Sequence, residues 1–249
     1  MKNAGYFILL LLGISFLACN NKLVNPAAEG FNLSGSDQKA IAIADEVMQA
    51  MGGRKAWEET RYLTWNFFGS RIHHWDKHTG DIRIVSEKDN YTLLMNIHTM
   101  KGKLKKDGEM VTQPDSLVKY MEMGKSAWIN DAYWLVMPYK LKDSGVTLKY
   151  KGEGKSEKGE ASDILELTFS GVGVTPDNKY DVYVDKQTRL VNQWAFYSKY
   201  ENTEPGFVTA WDDYKKYGGI MLSGGRSKYN LTEIDAPAEL AVDLFSKLD

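Results

Sequence analysis

The stretch Tyr62-Leu63-Thr64-Trp65-Asn66-Phe67-Phe68 decides the fold. Alternation puts Leu63, Trp65 and Phe67 on one face and Thr64 and Asn66 on the other, the pattern of a strand with one buried side. Gly69 interrupts the run, and Ser70 to Trp75 resumes it. His78-Thr79-Gly80-Asp81 reads as a turn into a strand from Ile82 to Ser86. Lys88-Asp89-Asn90 turns the chain again into Tyr91 to Asn96, and Asp107-Gly108 is a short hairpin signal. This half of the chain predicts an antiparallel meander of about five or six strands.

On the N-terminal side, Ile41, Ala44, Val47, Met48 and Met51 recur at helical spacing behind Ser36, a capping residue. They predict a helix over about 37–51 that ends at Gly52-Gly53. A helical turn is expected around Ala56-Trp57-Glu58. Beyond the meander, Pro114-Asp115-Ser116 opens a second helical region running to about Trp134. Its apolar positions are Leu117, Tyr120, Met121, Trp128 and Ile129, and Met137-Pro138 stops it. Strand patterns return over Val146–Tyr150, Ile164–Phe169, Tyr180–Asp185, Leu190–Tyr197, Phe207–Tyr214 and Ile220–Tyr229. The tail from Pro237 to Leu248 could add a closing helical turn. The expected fold is mainly β (α+β): a curved antiparallel sheet or half-barrel of about 11 strands, with two or three helices covering the concave side.

Composition narrows the function classes. The chain has 249 residues, 43% of them hydrophobic and 12% aromatic, enough for a sizeable core. The formal net charge of −2 leaves no basic field to hold nucleic acid. Cys19 is the one cysteine, so an internal disulfide, thiol catalysis and a zinc–thiolate site are excluded. Lys2 followed by the uncharged, mostly apolar run Tyr6 to Ala18 has the form of a signal peptide (1–18) and is shorter than the roughly 20 residues a membrane span needs. It ends in Phe16-Leu17-Ala18-Cys19, which resembles the bacterial lipobox. That resemblance implies that Cys19 becomes a lipidated, palmitate-bearing N-terminus. Asn20, where Asp would signal inner-membrane retention, implies the outer membrane. Residues 19–36, with Asn, Pro, Gly and Ser and little periodicity, read as the lipidated N-terminus and tether. A single domain over 37–249 follows.

Several strings resemble a family of uncharacterised lipoproteins (a domain of unknown function) from Bacteroidetes-type bacteria. They are Gly52-Gly53 with Trp57, the run Tyr133-Trp134-Leu135-Val136-Met137-Pro138-Tyr139-Lys140-Leu141, Val172-Gly173-Val174-Thr175-Pro176 with Lys179-Tyr180, and Leu190-Val191-Asn192-Gln193-Trp194. The strand–helix–strand layout is also similar to lipoprotein carriers of the LolA/LolB type. This second likeness implies an open half-barrel with an apolar hollow able to hold a lipid or acyl chain; fold alone does not fix function.

The polar motifs yield no catalytic or metal-site assignment. His73, His74 and His78 could together suit a transition metal, but neighbours on a strand diverge, and a hairpin with exposed histidines is the expectation. Asp181 with Asp185, and Asp212 with Asp213, lack the convergence that glycosidase chemistry requires. There is no G-x-S-x-G and no phosphate loop; Ser170-Gly171, Ser223-Gly224-Gly225 and Gly152-Glu153-Gly154-Lys155 read as turns or linkers.

What stands out is seven tryptophans. The expected ligand-binding residues are Trp65, Phe67, Trp134, Met137, Trp194, Phe196 and Trp211, with the segment ending at Pro138 as a lid candidate. The expected function is that of a lipid-anchored envelope lipoprotein, at the outer membrane facing the periplasm and monomeric, which binds a lipid or acyl chain without catalysis and without a cofactor. A hydrolase of envelope glycans or esters and a structural or accessory lipoprotein are the alternatives.

Overall fold

A computed structural model describes residues 25–173, 175–241 and 243–248. The expected signal peptide and lipidated Cys19 lie outside the described residues. Among those residues, no helix is long and apolar enough to cross a membrane.

Two helices, α1 (Gln38–Ala50) and α2 (Gly53–Glu59), precede six strands: β1 (Tyr62–Phe67), β2 (Arg71–Asp76), β3 (Asp81–Ser86), β4 (Tyr91–Asn96), β5 (Gly102–Lys106) and β6 (Glu109–Met110). The long helix α3 (Pro114–Val136) follows, with a 3-10 turn at Met137–Lys140. Then come β7 (Val146–Lys155), β8 (Ala161–Phe169), β9 (Lys179–Asp185), β10 (Val191–Tyr197), β11 (Phe207–Ala210), β12 (Asp212–Tyr217), β13 (Ile220–Gly225) and β14 (Thr232–Asp235). They form a seven-stranded antiparallel sheet in the order β14-β1-β2-β3-β4-β5-β6, a five-stranded one in the order β11-β10-β9-β8-β7, and the hairpin β12-β13. The expected mainly-β, half-barrel architecture is therefore observed, with fourteen strands and no closed barrel among the described residues.

Register sets the core. Trp65 pairs with His73, His73 with Ile84, Ile84 with Leu93 and Leu93 with Leu104, so one row of side chains crosses the first sheet. All five are fully buried. In the second sheet, Tyr150, Leu165, Val182 and Trp194 make the matching row. Leu63, Trp65 and Phe67 meet the inner face of the second sheet in one cluster that also takes Ile43 and Val47 from α1 and Met51 just after it, while Ile84, Leu93 and Leu104 form a second cluster with Met121 of α3. The turn at Asp107 and Gly108, with φ of 53° and 84°, is the left-handed pair that a two-residue hairpin needs.

Helix α3 has Pro114 in its first turn with Asp115 beside it, a favourable start. Its 23 residues extend about 35 Å at roughly 1.5 Å per residue. Leu117, Tyr120 and Met121 cover β3 to β5, while Ala132, Leu135 and Val136 enter the core shared by both sheets. Close approach to the first sheet is made at Gly124, where an added Cβ would stand 2.9 Å from Leu93 and 3.1 Å from Met95.

Four features depart from the sequence expectation. Residues 25–36 are docked rather than a free tether: the Asn32 and Asp37 amides bond to the carbonyls of Val146 and Leu148 on the edge of β7, and Asn25 and Phe31 are buried. The expected strand 207–214 breaks at Trp211, whose side chain turns into the core while Asp213 takes a positive φ of 54°. The polar strand β14 pairs with β1 and carries no apolar alternation to announce it. The tail makes turns, not a helix, and lies on the outer face of the first sheet, where Arg83 donates to the carbonyl of Lys247 at 2.8 Å.

Gly124→Val should lower unfolding free energy by about 1–3 kcal/mol through overpacking against Leu93 and Met95. Urea denaturation checks this, and an unchanged midpoint would mean α3 does not sit that close.

Candidate functional site

A cavity of about 370 Å³ opens between α3 and the inner faces of the two sheets. Its apolar wall is aromatic: Trp75 from β2, Trp128, Tyr133 and Trp134 from α3, Phe169 from β8 and Tyr180 from β9. Helical spacing explains the α3 set, because Ile129, Ala132, Tyr133 and Val136 share the side that faces the second sheet. Trp128 meets Trp75 edge-on at 5.0 Å, and Tyr133 stacks beside Trp194 at 6.0 Å. Polar groups join the lining from the segment after α3, namely Lys140, Asp143 and Ser144, together with Asn130 and Thr175. Lys140 and Asp143 form an ion pair with each other.

Of the seven residues expected to hold a ligand, Trp134 lines this cavity. Trp65, Trp194, Trp211 and Met137 are fully buried in the packed core, and Phe67 is nearly so. Phe196 stands beside them, stacked on Phe207 at 4.9 Å. Alternation along β1 identified the inward face but carried no signal of whether that face is filled. The lining residues Trp75, Trp128, Phe169 and Tyr180 were each read as ordinary strand or helix positions. Only α3, which crosses the sheet, brings them together.

The histidines require a correction. His73 and His74 do point to opposite faces, but His73 is wholly buried rather than exposed. Its ring lies flat on Trp65 at 4.5 Å, and its Nε2 is 2.7 Å from Oδ2 of Asp131 on α3. Arg71 donates to the same carboxylate from Nε at 2.7 Å and Nη2 at 3.0 Å. These bonds hold the Asp131 carboxyl below the usual range against the opposing effect of burial. Burial pushes the His73 imidazole down, so it is neutral and donates Nε2–H to Asp131. His74, on the outer face, is lowered to about 4 by burial. His78 bonds the Glu58 carbonyl.

A second pin holds the end of α3. Arg226 is buried, lies over the Trp211 ring at 3.6 Å and donates to the Trp134 carbonyl at 2.5 Å. Burial lowers its pKa to about 9.

The carboxylates weighed for acid–base chemistry are not gathered. Asp181 bonds Lys151 and Tyr197, Asp185 caps the turn at Gln187 and Thr188, Asp212 pairs with Lys158, and Asp213 pairs with Lys215. Among the described residues, no group of three His, Cys, Asp or Glu side chains is placed to hold a metal ion.

These features define a split antiparallel half-barrel with a long helix pinned over an aromatic cavity. No protein-family model matches the sequence, and no curated protein matches it. Among solved structures, the chain is similar to a DUF1329 family protein from Desulfovibrio piger, at 14% identity and a TM-score of 0.45 over 83% of this chain and 96% of that one. It is also similar to an outer membrane lipoprotein-sorting protein domain from Vibrio parahaemolyticus, at 11% identity and a TM-score of 0.43 over 84% and 96%. The MucA/MucB complex of Pseudomonas aeruginosa matches at 14% identity and a TM-score of 0.25 over 79% of this chain and 59% of that one. At these scores the likenesses place the chain in none of those families.

Two outcomes test the pinned helix. Asp131→Asn should cost about 3–5 kcal/mol in unfolding free energy, because Arg71 then loses a buried counter-ion. Stability should also fall as pH drops from 7 towards 5. His73 and His74 have folded pKa values below 6.5, so the unfolded chain takes up protons first. Asp131 acts at lower pH: its contribution is present above 3.8 and is lost as pH falls below that value. Urea midpoints of His73→Gln and His74→Gln should each show a shallower slope between pH 7 and 5, and an unchanged slope in both would refute the assignment.

Proposed function

We propose that this protein is a lipid-anchored lipoprotein of the cell envelope that binds one apolar ligand under α3 and performs no covalent chemistry. The observation that carries the reading is the cavity of about 370 Å³ walled by six aromatic side chains. That volume is within the roughly 300–1,000 Å³ range of ligand pockets, and such sites are mostly apolar with few polar groups. A buried methylene contributes about 0.8 kcal/mol, so a chain of moderate length supplies ample affinity. The ligand site comprises Trp134 with Trp75, Trp128, Tyr133, Phe169 and Tyr180, while Trp194 packs behind Tyr133, Trp134 and Tyr180, and Trp211 behind Trp194. The scattered and individually paired carboxylates favour binding over hydrolysis. The apolar N-terminal run ending at Cys19 supports attachment through acyl chains, which anchor a protein stably when two or more are present.

The mature domain should bind a fluorescent fatty-acid analogue saturably, one per chain, with energy transfer from tryptophan. Ala132→Trp, which places an indole in the cavity, should weaken binding by at least about tenfold, the equivalent of roughly 1.4 kcal/mol. Absence of saturable binding to the unaltered domain would sink the reading. Separately, Cys19→Ala should abolish palmitate incorporation and move the protein out of the membrane fraction; retention with label would place the anchor elsewhere.

A further inference from the structure

The docked N-terminal segment limits the position of an anchor at Cys19. Lys142 holds the Asn25 carbonyl through its Nζ, and the Ala28 amide donates to the Lys142 carbonyl at 2.9 Å. The Gly145 amide donates to the Gly30 carbonyl at 2.9 Å. A Cβ on Gly30 would stand 2.5 Å from the Ser144 hydroxyl oxygen, so the segment lies directly against Ser144. Ser144 lines the cavity, and with Asn130, Gly173 and Thr175 it is one of the exposed lining residues that form the mouth. Cys19 precedes Asn25 by six positions. Fully extended, that much chain reaches at most about 20–22 Å, less than the roughly 35 Å length of α3. A bilayer holding Cys19 is therefore kept close to the half of the domain around the C-terminal end of α3, which carries the mouth.

The surface at that end is aromatic. Tyr229 and Phe207 are 57% and 39% exposed. Phe207 stacks on Trp134 at 5.8 Å, and Phe68 bridges Trp134 and Tyr229 at 5.3 and 5.9 Å. Trp134 also lines the cavity, so one run of contacting rings leads from the exposed surface to the ligand space. Tyr and Trp, with an apolar body and a polar tip, suit the boundary between headgroups and acyl chains.

We propose that this end of the domain, with the cavity mouth and the rings of Phe207 and Tyr229, rests on the bilayer that holds its own anchor and takes its apolar ligand directly from that bilayer. The occupant of the surface is lipid rather than a partner protein. The inference rests on the ligand site and the Cys19 anchor proposed above. Passage from acyl chains into an aromatic cavity exchanges one apolar surrounding for another, so the ligand is not exposed to water on the way.

Energy transfer tests the orientation in the acylated full chain, reconstituted into phosphatidylcholine vesicles that carry a rhodamine lipid. Acylation occupies the Cys19 sulfur, so Thr175→Cys at the mouth supplies the one free thiol for a donor dye. Gln113→Cys, at the opposite end of α3, supplies the comparison. Transfer from position 175 should exceed that from position 113 several-fold; equal or reversed transfer overturns the orientation. Uptake is read in vesicles that carry a fluorescent fatty-acid analogue in place of rhodamine, through energy transfer from tryptophan. Tyr229→Glu should slow that uptake by about threefold or more, since membrane binding scales with buried apolar area. Its affinity for the analogue presented in solution should be unchanged, because residue 229 is outside the lining. Uptake at the unaltered rate overturns entry through this surface. Equal transfer from the two positions in a domain that binds the analogue in solution overturns this inference alone, whereas no binding in solution overturns the ligand site and the inference with it. A chain that does not attach to the vesicles overturns the anchor, with the same consequence.

Discussion

Asp131 is an ionised carboxylate with no exposure to solvent, and its location governs how the two halves of the molecule meet. A buried charge is tolerated only when its desolvation is offset by good geometry, and here both Arg71 and His73 supply it from one strand. The arrangement leaves α3 little latitude. It must lie across β2 with residue 131 over Arg71 and His73, and Gly124 lets it descend onto Leu93 and Met95 further along. From that placement follow the positions of Trp128, Tyr133 and Trp134, and hence the cavity.

The aromatic content divides into two populations. One is solid packing: Trp65 against His73, and Trp194 against Trp134, Trp211 and Tyr180, at centroid separations between 4.5 and 5.0 Å. The other borders space, where Trp75, Trp128, Phe169 and Tyr180 meet around the cavity. Rigid aromatic walls keep such space open because they have few rotamers with which to collapse into it. The indole of Trp134 belongs to both sets, which couples the filled core to the cavity wall.

Much of the architecture was legible in the sequence. The aromatic alternation of β1, the Asp107-Gly108 turn and the helical stripe of α1 are local signals, decided by side-chain period and by turn chemistry within a few residues. Strand β14 was hidden because Ile234 is the one apolar residue among Thr232 to Asp235, too little to show alternation; it forms by pairing with the edge of β1. The break at Trp211 was hidden because a strand pattern continues through it, and only the pull of the core on one indole separates β11 from β12. The docking of residues 25–36 was hidden because a polar segment that satisfies the edge of β7 reads the same as a tether.

The sequence by itself determined the period of the main helices and strands, the inward face of β1, the near-neutral charge balance, and the lone Cys19 behind an apolar run. Tertiary structure decided which inward-facing aromatics are packed solid and which border a cavity. It also placed His73 in the core and gave Asp131 its partners. The physical reason is range. Periodicity is a property of neighbours along the chain, whereas space between two sheets depends on how closely a helix far away in sequence can approach them. That approach is set by a missing side chain at Gly124 and one buried charge at Asp131.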